Sequence, residues 1–216
     1  MRNPTRSVPA ARRLLAVCAH PYDATFALGG VIGAFADAGT SVHVLCLTHG
    51  RRPDPSPRRR LERARDLGRA VRHLGAEDVT LMDHAPGTLG TASLDELARE
   101  IESAVTAADA LLVVDATGGG AHPDHVRTMR AAYRAAATVG SVLYAWTPRP
   151  APRPAGRVLV VDVDRDRQRD AIACHTGLAA DDPVRDHWPA HQDPAERLVV
   201  LSAERTLAPA PAEPAI

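Results

Sequence analysis

A chain of 216 residues with 45% hydrophobic content is long enough for one α/β domain with a sizeable core. Its 26 basic residues, all arginine, are balanced by 26 acidic ones, and zero formal charge at pH 7 argues against an electrostatic nucleic-acid binder. No stretch approaches the roughly 20 apolar residues of a membrane span, and the N-terminal apolar segment of about six residues is shorter than the roughly 7 to 15 of a secretory signal; a cytoplasmic protein without membrane partners is expected.

The first aliphatic run, 13–19, predicts a buried strand that ends in His20-Pro21-Tyr22-Asp23. A helix follows to about Ala38 and stops near Gly39. The second run, 42–48, leads into His49-Gly50. Residues 50–58 carry Pro53, Pro55 and Pro57, so no regular structure is expected there, and the segment reads either as a substrate-gating loop or as a solvated connector. Arg58 to Arg60, Arg63, Arg65 and Arg69 are offset on the same helix by Glu62 and Asp66, and no aromatic residues interleave for nucleic-acid stacking. A strand at 78–82 precedes His84. Ser93 and Glu96 form a capping box for a helix to about Thr106.

The run 110–115 is followed by His122-Pro123-Asp124-His125, where another helix starts with its dipole favouring an anionic or polarised group. Strands are expected at 141–146 and 157–163, joined by the proline-rich stretch 147–156 as a stiff connection. Residues 203–216, rich in Ala and Pro, are expected to be a disordered tail, which leaves 1–202 as the single domain. This alternation of strand and helix predicts a mostly parallel sheet covered on both faces, with right-handed crossovers. With only 3% aromatic residues, aliphatic and alanine packing must fill it.

Two histidine-carboxylate clusters at strand ends suggest a metal site. Zn2+ is held by imidazole nitrogens and carboxylate oxygens, and a catalytic site uses three protein ligands and keeps one position open. His20, Asp23 and His125 supply such a set, with His122 one helical turn from His125. The same set suits Fe2+ or another divalent metal. Either cluster alone would ordinarily be a turn, but the carboxyl ends of parallel strands are where open α/β sheets bind ligands. His49 and His84 also follow strand ends on that edge and are candidates for the pocket wall, whereas His43, His73, His187 and His191 carry no such signal. Cys18 and Cys46 lie within predicted strands as small hydrophobes, and with Cys174 they show no disulfide spacing.

The ordered motifs resemble the PIG-L, or LmbE-like, family of zinc-dependent N-deacetylases. Ala19-His20-Pro21-Tyr22-Asp23-Ala24 is similar to the family's Ala-His-Pro-Asp-Asp-Glu and is followed by the family-like Phe26-Ala27-Leu28-Gly29-Gly30. His122 to His125 matches its His-Pro-Asp-His and is preceded by the similar Asp115 to Gly120. Thr48-His49-Gly50 resembles its Thr-x-Gly, Arg63 and Asp66 fall where it has an Arg and a Glu, and Gln168, Ala171 and His175 echo its late Lys-x-x-Ala-x-x-x-His. The likeness covers roughly residues 13–180.

The resemblance implies a three-layer, Rossmann-like α/β sandwich and a zinc-dependent amide hydrolase acting on a small polar N-acyl amino-sugar or secondary-metabolite intermediate. It implies His20, Asp23 and His125 as ligands, His122 as the imidazole that stabilises the oxyanion or protonates the amine, Asp115 as a histidine-orienting carboxylate, and Arg63 as a substrate contact. Oligomeric state, a homo-oligomer included, is left open.

The departures from the family cluster around the same cavity. Tyr22 stands where the family has its general-base Asp, Ala24 replaces a Glu, Gly120 a Tyr, and Arg51 a Glu. A phenol with a pKa near 10 is a poor base at neutral pH. Three readings stay open: a catalytically silent metal- or ligand-binding homologue; a hydrolase in which Tyr22 donates to the oxyanion while His122, His49 or the substrate acts as base; and a metal enzyme with non-hydrolytic chemistry.

Overall fold

The computed structural model describes residues 8–50, 56–105, 110–116, 121–147, 157–177 and 193–201. β1 (Arg13–Cys18) is aliphatic from Leu14 onward and buried on both faces, as the centre of a parallel sheet demands. It pairs in parallel with β2 (Ser41–Thr48) on one side and β4 (Ala110–Val114) on the other. β3 (Asp78–His84) extends the sheet beyond β2, and β5 (Val142–Thr147) lies beside β4, both in parallel.

The period-two alternation of strand side chains divides the interior into two cores. Leu14, Ala16 and Cys18 of β1 join Val44, Leu112 and Trp146 on one face, against Val31, Ile32 and Phe35 of α1 (Gly29–Asp37) and Leu67 and Val71 of α2 (Pro57–His73). Leu15 and Val17 join Leu45, Leu111 and Leu143 on the other face. There they meet Leu97 and Ile101 of α3 (Leu94–Ala104) and Met129, Ala132 and Ala135 of α4 (Pro123–Val139). The result is the expected three-layer α/β sandwich, with alanines along α4 filling the space that aromatic residues take in other cores.

Strand order is β3-β2-β1-β4-β5-β7-β6. The sequence reaches β2 from β1 in one direction and β4 in the other, so the carboxyl ends of β1 and β4 flank the topological switch, where a crevice forms in open sheets.

Several sequence expectations need correction. A seventh strand, β7 (Ala195–Leu201), runs antiparallel between β5 and β6 (Arg157–Asp162), which makes the sheet mixed at that edge. The expected irregular stretch 50–58 ends sooner than its prolines suggest. Pro57 occupies the first turn of α2, where a missing N–H costs nothing, and Ser56 Oγ accepts the Arg59 N–H. Ser93 caps α3 as expected by accepting the Glu96 N–H, but the helix ends at Ala104. The readings for 51–55, 148–156, His187, His191 and the tail 203–216 lie outside the described residues. No helix among the described residues is long and apolar enough to cross a membrane.

Candidate metal centre

After β1 the chain makes a reciprocal turn. The Asp23 N–H donates to the His20 carbonyl (3.1 Å), and the His20 N–H donates to Asp23 Oδ2 (2.8 Å). Pro21, with its fixed φ, sits between them. Asp23–Ala27 then form one turn of π-helix, closed by the Leu28 N–H to the Asp23 carbonyl five residues back (2.9 Å), before α1 begins. Such widened turns are rare and recur at functional sites. Thr48, at the end of β2, places its hydroxyl 2.8 Å from the Ala19 carbonyl and ties the neighbouring strand end to the residue before His20.

From the other side of the crevice, the first turn of α4 brings in His125. Its Nε2 lies 3.1 Å from both carboxylate oxygens of Asp23 and 3.4 Å from His20 Nδ1. Ligand atoms of His20, Asp23 and His125 all lie within 4.8 Å of one another, and all three residues are buried. This is a set able to hold a metal ion. His20 Nε2 donates to Asp124 Oδ2 (3.0 Å), so in the neutral ring Nδ1 is a lone pair turned toward a carboxylate and a second imidazole nitrogen. Asp23 and Nδ1 of His20 present lone pairs to the cluster, and His125 Nε2, which bonds Asp23 while protonated, offers a third once its proton is released, as metal binding requires; the donor set therefore fits the metal that the sequence implies. Burial works to raise the Asp23 pKa, but the charge and hydrogen bond of His125, together with His20, outweigh it and hold the carboxyl at about 2.

Asp124 was not assigned a role from the sequence, yet it is the carboxylate that orients His20. It is fully buried and also accepts the Gly87 N–H at Oδ2 (2.7 Å) and the Gly90 N–H at Oδ1 (3.4 Å). Burial pushes its pKa up, and the His20 hydrogen bond, the Gly87 N–H and the charges of His20 and His122 more than reverse this. Gly87 has φ +85°, and a Cβ on Gly90 would lie 2.8 Å from Pro123 Cβ, so both glycines are needed to bring this loop onto α4. Arg127 Nε fastens the loop by donating to the Gly90 carbonyl (3.0 Å). A Pro-Gly-Thr-Leu-Gly stretch just after a strand end was the available signal.

His122 is the N-cap of α4. Its Nδ1 accepts the Asp124 N–H (3.2 Å), which leaves the proton of the neutral ring on Nε2 and makes that nitrogen a donor. Its ring stands edge-on to His20, with centroids 5.3 Å apart.

A family model described as PIG-L: GlcNAc-PI de-N-acetylase matches residues 15–136. The chain belongs to this family. It is 30% identical over 156 residues to a 1D-myo-inositol 2-acetamido-2-deoxy-alpha-D-glucopyranoside deacetylase of Streptomyces griseus subsp. griseus, covering 58% of this chain and 49% of that protein. It is 32% identical over 137 residues to a probable N-acetyl-alpha-D-glucosaminyl L-malate deacetylase 2 of Bacillus anthracis, covering 59% of this chain and 61% of that protein. The matches thus span about half to three fifths of these curated relatives. The N,N'-diacetylchitobiose deacetylase from Pyrococcus horikoshii shares the fold, with a TM-score of 0.70 over 94% of this chain and 88% of that one at 17% identity.

In this PIG-L family member the side chain at position 22 is a half-buried tyrosine. Its ring packs edge-on against Phe26 (6.3 Å between centroids) and His175 (4.9 Å). His175 is buried with Nε2 3.0 Å from the Thr25 hydroxyl, and burial, the largest influence on it, drives its pKa down to about 4. Late residues beyond the matched span therefore support the early turn.

His49, His84 and Asp115 belong to neither group of side chains that could hold an ion, and with Arg63 they make contacts of their own. His49 Nε2 is 3.4 Å from Asp83 Oδ1; burial depresses its pKa, with Asp83 opposing and Arg60 and Arg63 adding to the depression. Arg63 lines a groove of about 1140 Å³ along α2, with Arg59, Asp66, Arg69 and Thr176. His84 Nε2 pairs with Glu100 Oε2 at 2.6 Å, which ties the end of β3 to α3. Asp115 follows β4, its N–H donating to the Trp146 carbonyl (2.7 Å). Ala24 is buried, while Arg51 and Gly120 lie outside the described residues.

Proposed function

We propose that this chain is a zinc-dependent N-deacetylase acting on a small polar N-acyl amino-sugar or a related secondary-metabolite intermediate, with His20, Asp23 and His125 as the metal ligands. The observation that carries the reading is the buried meeting of His20 Nδ1, Asp23 and His125 Nε2, with the far nitrogen of His20 held by Asp124. The chemistry a bound zinc supplies is polarisation of the acyl carbonyl and a lowered pKa for an attacking water.

The protein's own groups do the rest. His122 presents Nε2–H to the oxyanion that develops as the amide is attacked, and the same proton can pass to the departing amine. The α4 N-terminus adds a favourable dipole at that point. Tyr22 contributes a hydrogen-bond donor to the cavity, and Asp115 acts as a secondary orienting carboxylate. Arg63, His49 and His84 contact the polar parts of the substrate. With Nδ1 taken up by the Asp124 N–H, the other nitrogen of His122 carries the proton, so His122 serves as donor rather than base, and the proton from water goes to His49, whose imidazole burial favours in its neutral form, or to the substrate where it offers a basic group.

A second reading is favoured by Tyr22 itself: a protein that binds the metal and ligand but turns over slowly or not at all, because no carboxylate occupies that position. The test is elemental analysis together with a deacetylation screen over N-acetylated sugars and sugar conjugates. About one zinc per chain and turnover of one class of conjugate are expected, with both lost in His125→Ala. Full turnover by His125→Ala would rule the scheme out.

A further inference from the structure

The π-turn that carries Asp23 leaves the carbonyls of Thr25 and Phe26 to be satisfied from outside the turn. Gln168 of α5 (Arg165–Ala173) does so, its Nε2 donating to Thr25 O (2.8 Å) and Phe26 O (3.2 Å). The amide is turned this way by Arg165, whose Nη1 donates to Gln168 Oε1 (2.5 Å) and to Glu196 Oε1 of β7 (2.6 Å). The other oxygen of Glu196 accepts the Trp146 Nε1–H (2.8 Å). Gln168, Glu196 and Trp146 are all buried. Space is kept for the relay by the start of α1, where a Cβ on Gly29 would sit 3.3 Å from Gln168 Cγ and one on Gly30 3.3 Å from Arg165 Nη1.

A buried ion pair is weak evidence for stability, since desolvation offsets most of its attraction; its better-attested use is to fix one arrangement among several. Here the arrangement in question is the π-turn. If the turn relaxed to an ordinary α-helix, one residue would drop out of the bulge and the segments on either side would rotate by about 100° relative to each other. Asp23 lies at one end of that segment, and it must meet His125, 102 residues away in sequence. We propose that Gln168, oriented by the Arg165–Glu196 pair, is a positioning residue for Asp23: it holds the turn in its π form and thereby sets the cation affinity of the site. This inference rests on the metal reading above and extends it to α5 and β7, beyond the span matched by the family model.

The experiment is calorimetric titration of Zn2+ into the metal-free chain, with thermal midpoints measured in parallel. Gln168→Met keeps the bulk and removes the donor; its zinc affinity is expected to fall about tenfold or more, the range for lost outer partners of a metal site. Gln168→Glu, which keeps the acceptor for Arg165 but offers no donor to the two carbonyls, shows a loss at least as large. Ile101→Val, in the core on the opposite face of the sheet, lowers the midpoint and leaves zinc affinity at the wild-type value. Glu196→Gln provides a reading that leaves α5 unaltered, with an affinity loss in the same direction. Unchanged affinity in Gln168→Met and Glu196→Gln, or an equal loss in Ile101→Val, overturns this inference alone. Failure of the wild-type chain to bind zinc overturns the metal reading and this inference with it.

Discussion

His20 and Asp124 are 104 residues apart in sequence and 3.0 Å apart in the structure, and this contact decides which nitrogen of His20 faces the ligand cluster. An acceptor at Nε2 fixes the proton there and turns the lone pair of Nδ1 inward, the arrangement that raises the basicity of a metal-binding imidazole. Asp124→Asn keeps the shape but presents an amide N–H where two donors already point. Zinc affinity should fall roughly 10- to 100-fold, measured by competition with a chromophoric chelator; an unaltered affinity would remove Asp124 from the site.

Gly90 and Gly87 hold the Asp124 loop for different reasons. At Gly90 the cost of a side chain is steric: Gly90→Ala drives a methyl to within 2.8 Å of Pro123 Cβ and should destabilise the fold by about 1–3 kcal/mol. At Gly87 there is open space and the cost is conformational, about 1–2 kcal/mol for an L-residue at φ +85°. Urea midpoints distinguish these from neutral substitutions. The Gly90 variant should also bind zinc more weakly, because the Gly90 N–H to Asp124 is displaced.

His175 gives the protein an acid-sensitive element. Its pKa is near 4 when folded, against about 6.5 when unfolded, so below about pH 6.5 the unfolded chain binds a proton that the folded one refuses. Its contribution is fully present above the unfolded value and is lost as pH falls through the folded one. The loss approaches about 3 kcal/mol. Urea denaturation at pH 7, 5.5 and 4 should show this decline, and His175→Phe should flatten the part of it that exceeds carboxylate titration.

Tyr22→Asp tests how far the native chemistry is limited by the residue at this position. If the site is otherwise competent, a positioned carboxylate should raise deacetylation by roughly 10²- to 10⁴-fold, read as turnover of whichever sugar conjugate the wild-type screen identifies. The ring contacts to Phe26 and His175 are lost in the same variant, so a lower thermal midpoint is expected alongside. No gain in rate would favour the silent homologue.

Much of this architecture announces itself in the chain, because buried parallel strands must be aliphatic throughout. The six runs that begin at 13, 42, 78, 110, 141 and 157 each become a strand. Ala195–Leu201 escapes notice because Glu196, at an inward position, breaks the apolar pattern; only the structure supplies Trp146 and Arg165 as its partners. The π-turn is equally hidden, since all five of its residues are buried, Asp23 and Thr25 with the apolar ones, and the hydrogen-bond step of five leaves no periodic mark. The His20, Asp23 and His125 cluster could be read from residue type and strand-end position. The orienting role of Asp124 could not, because its neighbours in sequence, His122 and His125, draw attention from a histidine more than a hundred positions away.

The relay from β7 to the turn at Asp23 also bears on how the molecule is made. Residue 196 steadies 165, which steers 168, which braces the turn at 23–27, so a turn that directly follows the first strand is completed by the seventh. A nascent chain still lacking its seventh strand would carry His20, Asp23 and His125 without the contacts that steady their turn. Under the proposed metal reading, tight capture of the ion would then coincide with completion of the sheet.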